Sequence, residues 1–204
     1  MTTVRELAIA QMSGSCSTGG LRGLNDQILS LLVEALPNSL VSCSDSVQIA
    51  GNSTLPLLQP AANAALMRAV AEKGQKPKLT HAYRTVAQQY VLHQWFINGQ
   101  KCGVTLAATP GNSPHEKGLA IDIQEHAKWR TVLERHKWKW RGNADRPHFT
   151  YVGDGIITNV LRESIRAFQR LWNLHNPGDR ITEDGLFGEL ETGPRLLKSP
   201  VNGF

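Results

Sequence analysis

A chain of 204 residues with 22 Lys and Arg against 17 Asp and Glu carries a net charge of +5. That length supports one substantial core with room for a small second module, and no apolar run approaches the roughly 20 residues a membrane-spanning helix needs. The charge favours anionic partners without dictating a fold. No zinc-finger, RNA-recognition or basic-zipper pattern accompanies it, so nucleic acid is not an expected partner.

The N-terminus has an early acidic residue and no sustained apolar stretch, so it does not read as a Sec signal peptide. Thr3 and Glu6 have the spacing of a capping box opening a helix that runs towards Met12. Residues 13–23 are polar and Gly-rich and break that pattern. Asn25 is placed to cap a second helix with Ile28, Leu31, Leu32 and Ala35 on one face and Pro37 just past its end. This region is expected to pack on the core and carries no recognisable chemistry.

A Ser-, Asn- and Pro-containing connector leads to Pro60. Pro60 and Gly74 bracket a helix with Ala62, Leu66, Ala69 and Val70 on one face. Residues 78–82 have strand character. A further helix starts at about Thr85, with Val86, Tyr90, His93 and Ile97 on one stripe, where His93 reads as a hydrogen-bonded core histidine. Residues 99–114 form a loop. Residues 119–123 alternate as a strand, placing Ala120 and Asp122 on one face. Trp129, Val132, Leu133 and His136 make a helical stripe, and the basic cluster over 128–141 reads as a solvated helix face. Residues 148–152 form a second strand, with His148 and Thr150 on one face and Phe149 and Tyr151 on the other. Trp138 and Trp140 are core residues or, alternatively, walls of a cleft. Beyond Gly155, Ile165, Phe168, Leu171 and Trp172 define an amphipathic helix followed by two tight turns.

Irregular mixing of helices with short strands predicts an α+β domain: a small antiparallel sheet flanked by helices, plus a small C-terminal helical segment. The expected division is residues 1–59 packed on the core, 60–154 as the core, and 155–204 as the C-terminal segment. Of the three cysteines, Cys16 and Cys43 lie in loop-like sequence and are the first disulfide pairing to test, with three free thiols the alternative.

The chemistry concentrates in one stretch. Ser113, His115, Gly118, Ala120 and Asp122 fall in the pattern S-x-H-x-x-G-x-A-x-D, followed by Asp145, His148 and Phe149 as D-x-x-H-F. His115, Asp122 and His148 can converge from a loop and two strands on one metal ion, leaving a fourth position for water, as a catalytic zinc requires. Asp145 can sit beside that water as general base without being a ligand. Arg84 can stabilise an oxyanion or clamp a substrate carboxylate. His81, His126, His136 and His175 show no supporting partners in sequence.

These residues resemble the M15 zinc peptidases, the D-alanyl-D-alanine carboxypeptidases, D,D-dipeptidases and L-alanyl-D-glutamate endopeptidases that cut peptidoglycan stem peptides. The resemblance covers roughly residues 75–153. It implies one Zn2+ held by His115, Asp122 and His148, with Asp145 as the catalytic acid/base. Tyr83, Arg84 and Gln89 resemble the family's Y-R-S-x-x-x-Q substrate element, and Ser113 its substrate-contacting serine. Many carboxypeptidase members carry Glu where this chain has Asp145, whereas several endopeptidases and phage lysins carry Asp there. The C-terminal residues Ile165, Phe168, Gln169, Trp172, Asn173, Asp184, Gly185, Phe187, Gly188 and Thr192 partly resemble a small helical peptidoglycan-binding module; a helical hairpin packed on the catalytic domain is the alternative.

The expected activity is a D-Ala-D-Ala carboxypeptidase, with an L-alanyl-D-glutamate endopeptidase or a non-catalytic wall-binding protein with a structural metal as alternatives. The expected partner is peptidoglycan peptides, met by a monomer. The expected place of action is the bacterial cell wall or periplasm, reached by non-Sec delivery or phage-type release.

Overall fold

The computed structural model describes residues 2–10 and 16–204. Seven α-helices are defined among them: α1 (Val4–Ala10), α2 (Arg22–Ala35), α3 (Pro60–Lys73), α4 (Val86–Ile97), α5 (His126–Arg135), α6 (Val160–His175) and α7 (Thr192–Lys198). The strands are β1 (Val41–Ser42), β2 (Gln48–Ile49), β3 (Leu57–Leu58), β4 (Lys78–His81), β5 (Ala120–Ile123), β6 (Trp138–Trp140) and β7 (His148–Tyr151). β1 pairs with β3, and the other five form one sheet in the order β2-β4-β5-β7-β6. The fold is α+β, as the sequence predicts. The sheet is antiparallel except at its edge, where β2 runs parallel to β4.

Local chemistry sets most helix ends. The Thr3 N–H donates to Glu6 Oε2 (2.9 Å) and the Glu6 N–H to Thr3 Oγ1 (3.3 Å), the reciprocal capping box that opens α1. The expected end of this helix near Met12 lies outside the described residues. Pro60 occupies the first turn of α3, and Gly74 closes it in the left-handed conformation (φ 67°). Thr85 caps α4 by accepting from the Gln88 N–H at 3.2 Å.

Asn25 departs from its expected role. A 3-10 turn at Thr18–Leu21, opened by Ser17 accepting from the Gly19 N–H, leads straight into α2 at Arg22. Asn25 is therefore inside the helix and buried, and its Oδ1 accepts from the Thr85 hydroxyl at 2.7 Å. It ties α2 to the cap of α4 instead of capping its own helix. His93 differs too: it is half-buried, and its Nδ1, shielded from solvent, has no hydrogen-bond partner among the described residues.

Two apolar clusters result. One gathers Leu24, Ile28 and Leu32 of α2, Val91 and Trp95 of α4, Phe168 and Trp172 of α6, and Leu196 of α7. The other fills the space between the sheet and helices α3 and α5, with Leu66, Leu79, Ile121, Trp129, Leu133 and Phe149. Val4 of α1 and the apolar face of α2 share the first cluster with the C-terminal segment. Burying Phe168 is worth about 1.5–3 kcal/mol, so this shared core is a substantial part of the molecule's stability.

The basic cluster is not a continuous helix face. Helix α5 ends at Arg135, and residues 138–140 form edge strand β6. Register pairs Trp138 with Tyr151 and Trp140 with Phe149, so both tryptophans pack on the core face of the sheet. Lys137 takes φ 67° at the turn that separates the two elements.

The expected Cys16–Cys43 bond does not form. Cys16 is bonded to Cys102 (Cα–Cα 5.3 Å), joining the chain before α2 to the loop after α4. Cys43 is buried in the second cluster, and burial pushes its thiol up to about 12. Because the thiolate is the reactive form, Ellman's reagent is expected to titrate no thiol in the native protein at pH 8, one after denaturation and three after reduction as well.

Candidate metal centre

Antiparallel pairing lays a row of polar side chains across the sheet face that α3 and α5 leave uncovered. Asp122 of β5 stands opposite His148 of β7 on one side and His81 of β4 on the other. His115 comes from the loop before β5. That loop turns back through Gly118 (φ 69°), where an added Cβ would meet Leu40 Cδ2 at 2.5 Å and the Gln59 backbone nitrogen at 3.3 Å. Gln59 locks the turn: its N–H donates to the Gly118 carbonyl (2.9 Å) and its Nε2 to the Lys117 carbonyl (2.7 Å).

Three ligand-type atoms converge. His115 Nε2 lies 3.1 Å from His148 Nδ1 and 3.3 Å from Asp122 Oδ1, and His148 Nδ1 lies 3.0 Å from the same Oδ1. A tetrahedral zinc with bonds of about 2.0–2.1 Å places neighbouring ligand atoms roughly 3.3 Å apart, so this triangle fits one face of such a site. All three residues are buried.

The outer nitrogens fix which inner atoms carry lone pairs. His115 Nδ1 is 2.6 Å from the Ala82 carbonyl, which can only accept, so Nδ1 holds the proton and Nε2 is the bare nitrogen. Burial, aided by the Arg84 guanidinium, lowers the pKa of His115 to about 4, keeping the ring neutral at pH 7. His148 Nε2 lies 2.9 Å from Thr150 Oγ1, a partner that can accept its proton and leave Nδ1 free. Burial alone would raise the pKa of the Asp122 carboxyl, but the surrounding imidazoles of His115, His148 and His81 outweigh it and hold the group ionised well below the usual range. Its second oxygen takes Arg84 Nη2 at 2.9 Å and faces His81 Nδ1 at 3.3 Å. The donor set of two neutral imidazoles and one carboxylate fits a zinc ion, with His115, Asp122 and His148 as the holding residues.

The triangle opens into a cavity of about 120 Å³ lined by Arg84, Gln89, Ser113, Arg141 and Asp145, among others. Asp145 Oδ2 is 3.9 Å from His148 Nδ1, outside direct bonding distance and beside the triangle. Partial burial, with the negative charge of Asp122, raises the pKa of Asp145 above the ordinary carboxylate value. Gln89 is fully buried; its Oε1 faces Arg84 Nη1 at 3.4 Å and its Nε2 donates to the Ala108 carbonyl at 2.8 Å. Ser113 is buried at the cavity wall, and its Oγ accepts from the His115 N–H at 3.3 Å.

Tyr83 is the exception among the residues singled out by sequence. It goes into the helical core, where its hydroxyl sits 2.6 Å from Ser164 Oγ, and it does not line the cavity. Strand alternation explains this: adjacent Tyr83 and Arg84 leave the sheet edge in opposite directions.

Four contributors escaped the sequence reading. Thr150 was placed on the face of His148, but nothing local marks it as that ring's partner. The Ala82 carbonyl is invisible in sequence. His81 acquires Asp122 only through cross-strand register. Glu116, inside the motif, is fully buried and accepts from the Gly111 and Ser113 N–H groups at 3.0 and 3.1 Å, pinning the loop that carries His115. Burial raises its pKa to about 8 against those bonds. The remaining histidines find structural partners: His126 stacks on Trp140, His136 pairs with Glu72, and His175 stacks on Phe204.

Residues 58–153 match the family model VanY, D-alanyl-D-alanine carboxypeptidase. No curated protein matches the sequence. The matched span begins in β3 and ends just after β7, and it contains the three converging ligand-type residues together with Arg84 and Asp145. The chain therefore carries, at residues 58–153, a domain of the VanY D-alanyl-D-alanine carboxypeptidase family of M15 peptidases.

Proposed function

We propose that the protein is a zinc-dependent peptidase that hydrolyses peptidoglycan stem peptides, acting as a D-Ala-D-Ala carboxypeptidase. The observation that carries this reading is the triangle formed by His115 Nε2, Asp122 Oδ1 and His148 Nδ1, open to a cavity that also holds a free carboxylate, Asp145. When bound, zinc would polarise the scissile carbonyl and lower the pKa of water towards neutrality.

The chain's own residues do the rest. Asp145 takes a proton from the attacking water onto a carboxylate oxygen and returns it to the leaving amine nitrogen. Its raised pKa, from partial burial and Asp122, suits both halves of that transfer. Arg84 is held by Asp122 and Gln89, and its buried Nε has no partner among the described residues, leaving an N–H donor near the developing oxyanion. Ser113 and Gln89 shape the wall that orients the peptide.

Asp145 keeps a second reading in play. An aspartate at this position, one methylene shorter than glutamate, is shared with endopeptidases that cut L-alanyl-D-glutamate. Release of free D-Ala from purified peptidoglycan, identified by mass spectrometry and abolished by chelator, supports the carboxypeptidase; a new N-terminal D-Glu supports the endopeptidase. Metal content without any hydrolysis would favour a non-catalytic wall-binding protein.

The further proposals concern organisation. Residues 60–154 carry the chemistry, 1–59 buttress it, and 155–204 form a peptidoglycan-binding-like segment. What supports the last is its internal bonding: Gln169 donates to Asp184 and accepts from the Gly185 N–H, while Asn173 bridges both backbone groups of Ile181. The protein would act as a monomer at the cell wall. No helix among the described residues is long and apolar enough to cross a membrane.

Two variants test the site. Asp145→Asn is expected to lower kcat by about 10²–10⁴-fold with zinc content unchanged, measured by peptide hydrolysis and metal analysis; full activity would remove the assigned role. Thr150→Val removes the partner of His148 Nε2 and is expected to weaken zinc affinity about 10–100-fold in competition with a chromophoric chelator, with circular dichroism unchanged.

A further inference from the structure

A second cavity, of about 270 Å³, adjoins the catalytic one: Arg141 lines both, and Lys139, Trp140 and Thr150 complete the second. Register places Lys139 opposite Thr150, on the same sheet face as His148 and Asp122. The trough beside the catalytic cavity is therefore lined by two cations, on β6 and at the turn that follows it.

Their backbone is held firmly. The Arg141 N–H donates to the His148 carbonyl at 3.1 Å, tying this arginine to the strand that carries a ligand residue. On the opposite face Trp140 Nε1 donates to the Arg146 carbonyl at 2.7 Å, and its ring stacks with His126 and lies under the Arg130 guanidinium. The turn then closes through the Asp145 N–H to the Gly142 carbonyl.

The two cavity arginines are not equivalent. Arg84 is neutralised in place by Asp122 at 2.9 Å. Arg141 forms no side-chain ion pair or hydrogen bond among the described residues, although it faces the cavity. Its charge reaches Asp145, whose pKa it acts to lower, but no bond among the described residues occupies its N–H donors, which are available to a ligand. A guanidinium matches a carboxylate with two parallel N–H donors.

Resting on the peptidase reading above, we infer that Arg141, assisted by Lys139, is the specificity-determining residue that binds the free carboxylate on the carbon next to the scissile nitrogen. Both cleavages under consideration present that group. In D-Ala-D-Ala the leaving residue bears the chain's terminal carboxylate. In a stem peptide whose glutamate continues through its γ-carboxyl, the leaving D-Glu bears a free α-carboxylate at the same place. One cation beside the site serves either bond, and a peptide amidated there loses the contact.

The test uses the zinc-loaded full chain and two substrate pairs: diacetyl-L-Lys-D-Ala-D-Ala with its C-terminal amide, and L-Ala-γ-D-Glu with its α-amide. The wild type is expected to prefer the acid of whichever pair it cuts, which identifies the source of the carboxylate. Arg141→Gln is expected to raise KM for the acid roughly ten- to hundredfold, the worth of a charge-assisted hydrogen bond, with kcat little changed and KM for the amide unmoved. Arg141→Lys should recover part of the preference, and Lys139→Gln should lose less of it. A wild type that cuts acid and amide equally, or an Arg141→Gln variant of unchanged melting temperature that keeps the preference, overturns the assignment. No turnover of any of the four peptides by the wild type overturns the peptidase reading itself, and the subsite with it.

Discussion

The structure depends on holding three lone-pair-bearing atoms, His115 Nε2, Asp122 Oδ1 and His148 Nδ1, about 3 Å apart in a buried place. Such atoms repel one another and lose water on burial, so nothing local would assemble them. The assembling force is strand register. Asp122 opposite His148 is one rung of the β5–β7 ladder, and a slip of one residue would turn both side chains into the apolar layer beneath. The apolar alternation of Ile121, Ile123, Phe149 and Tyr151 makes that slip costly, so the core of the sheet fixes the geometry of the polar face.

The rest of the molecule serves that rung. Helices α3 and α5 cover one face of the sheet and leave the other for chemistry. Ala82 and Thr150 hold the outer nitrogens of the two imidazoles, and Arg84 and His81 occupy the second oxygen of Asp122. The helical cluster buttresses the wall of the cavity: Asn25 of α2 secures the cap of α4, from which Gln89 reaches Arg84 and the Ala108 carbonyl. The C-terminal segment touches the motif loop as well. A Cβ at Gly111 (φ 84°) would come within 3.3 Å of Phe187 and 3.6 Å of Ile165, so the loop that presents His115 is packed against α6 and its following turns.

Features encoded within a few residues were legible in sequence. The capping box of Thr3 and Glu6, the Pro60 and Gly74 brackets, the Thr85 cap and the alternation of β5 and β7 all depend on neighbours no more than one turn or one strand away. Asn25 misled because a capping residue and a buried bridging amide look identical until the helix start is known. Cys16 has Cys102 as its partner because α4 returns its C-terminal end to the start of α2, a matter of packing and not of loop-like composition. Tyr83 and Arg84 share a motif but part company at the sheet edge, one entering the helical core and the other the site.

The sequence by itself determined the ligand types, their spacing and the elements that carry them, because residue chemistry and short-range periodicity are local properties. Tertiary structure alone decided which nitrogen of each histidine faces inward, since the Ala82 carbonyl and the Thr150 hydroxyl take the other one. It also decided which arginine is spent on Asp122 and which is left facing the trough. Those choices rest on contacts between residues far apart in the chain, and only the closed sheet with its two packed cores brings them within bonding distance.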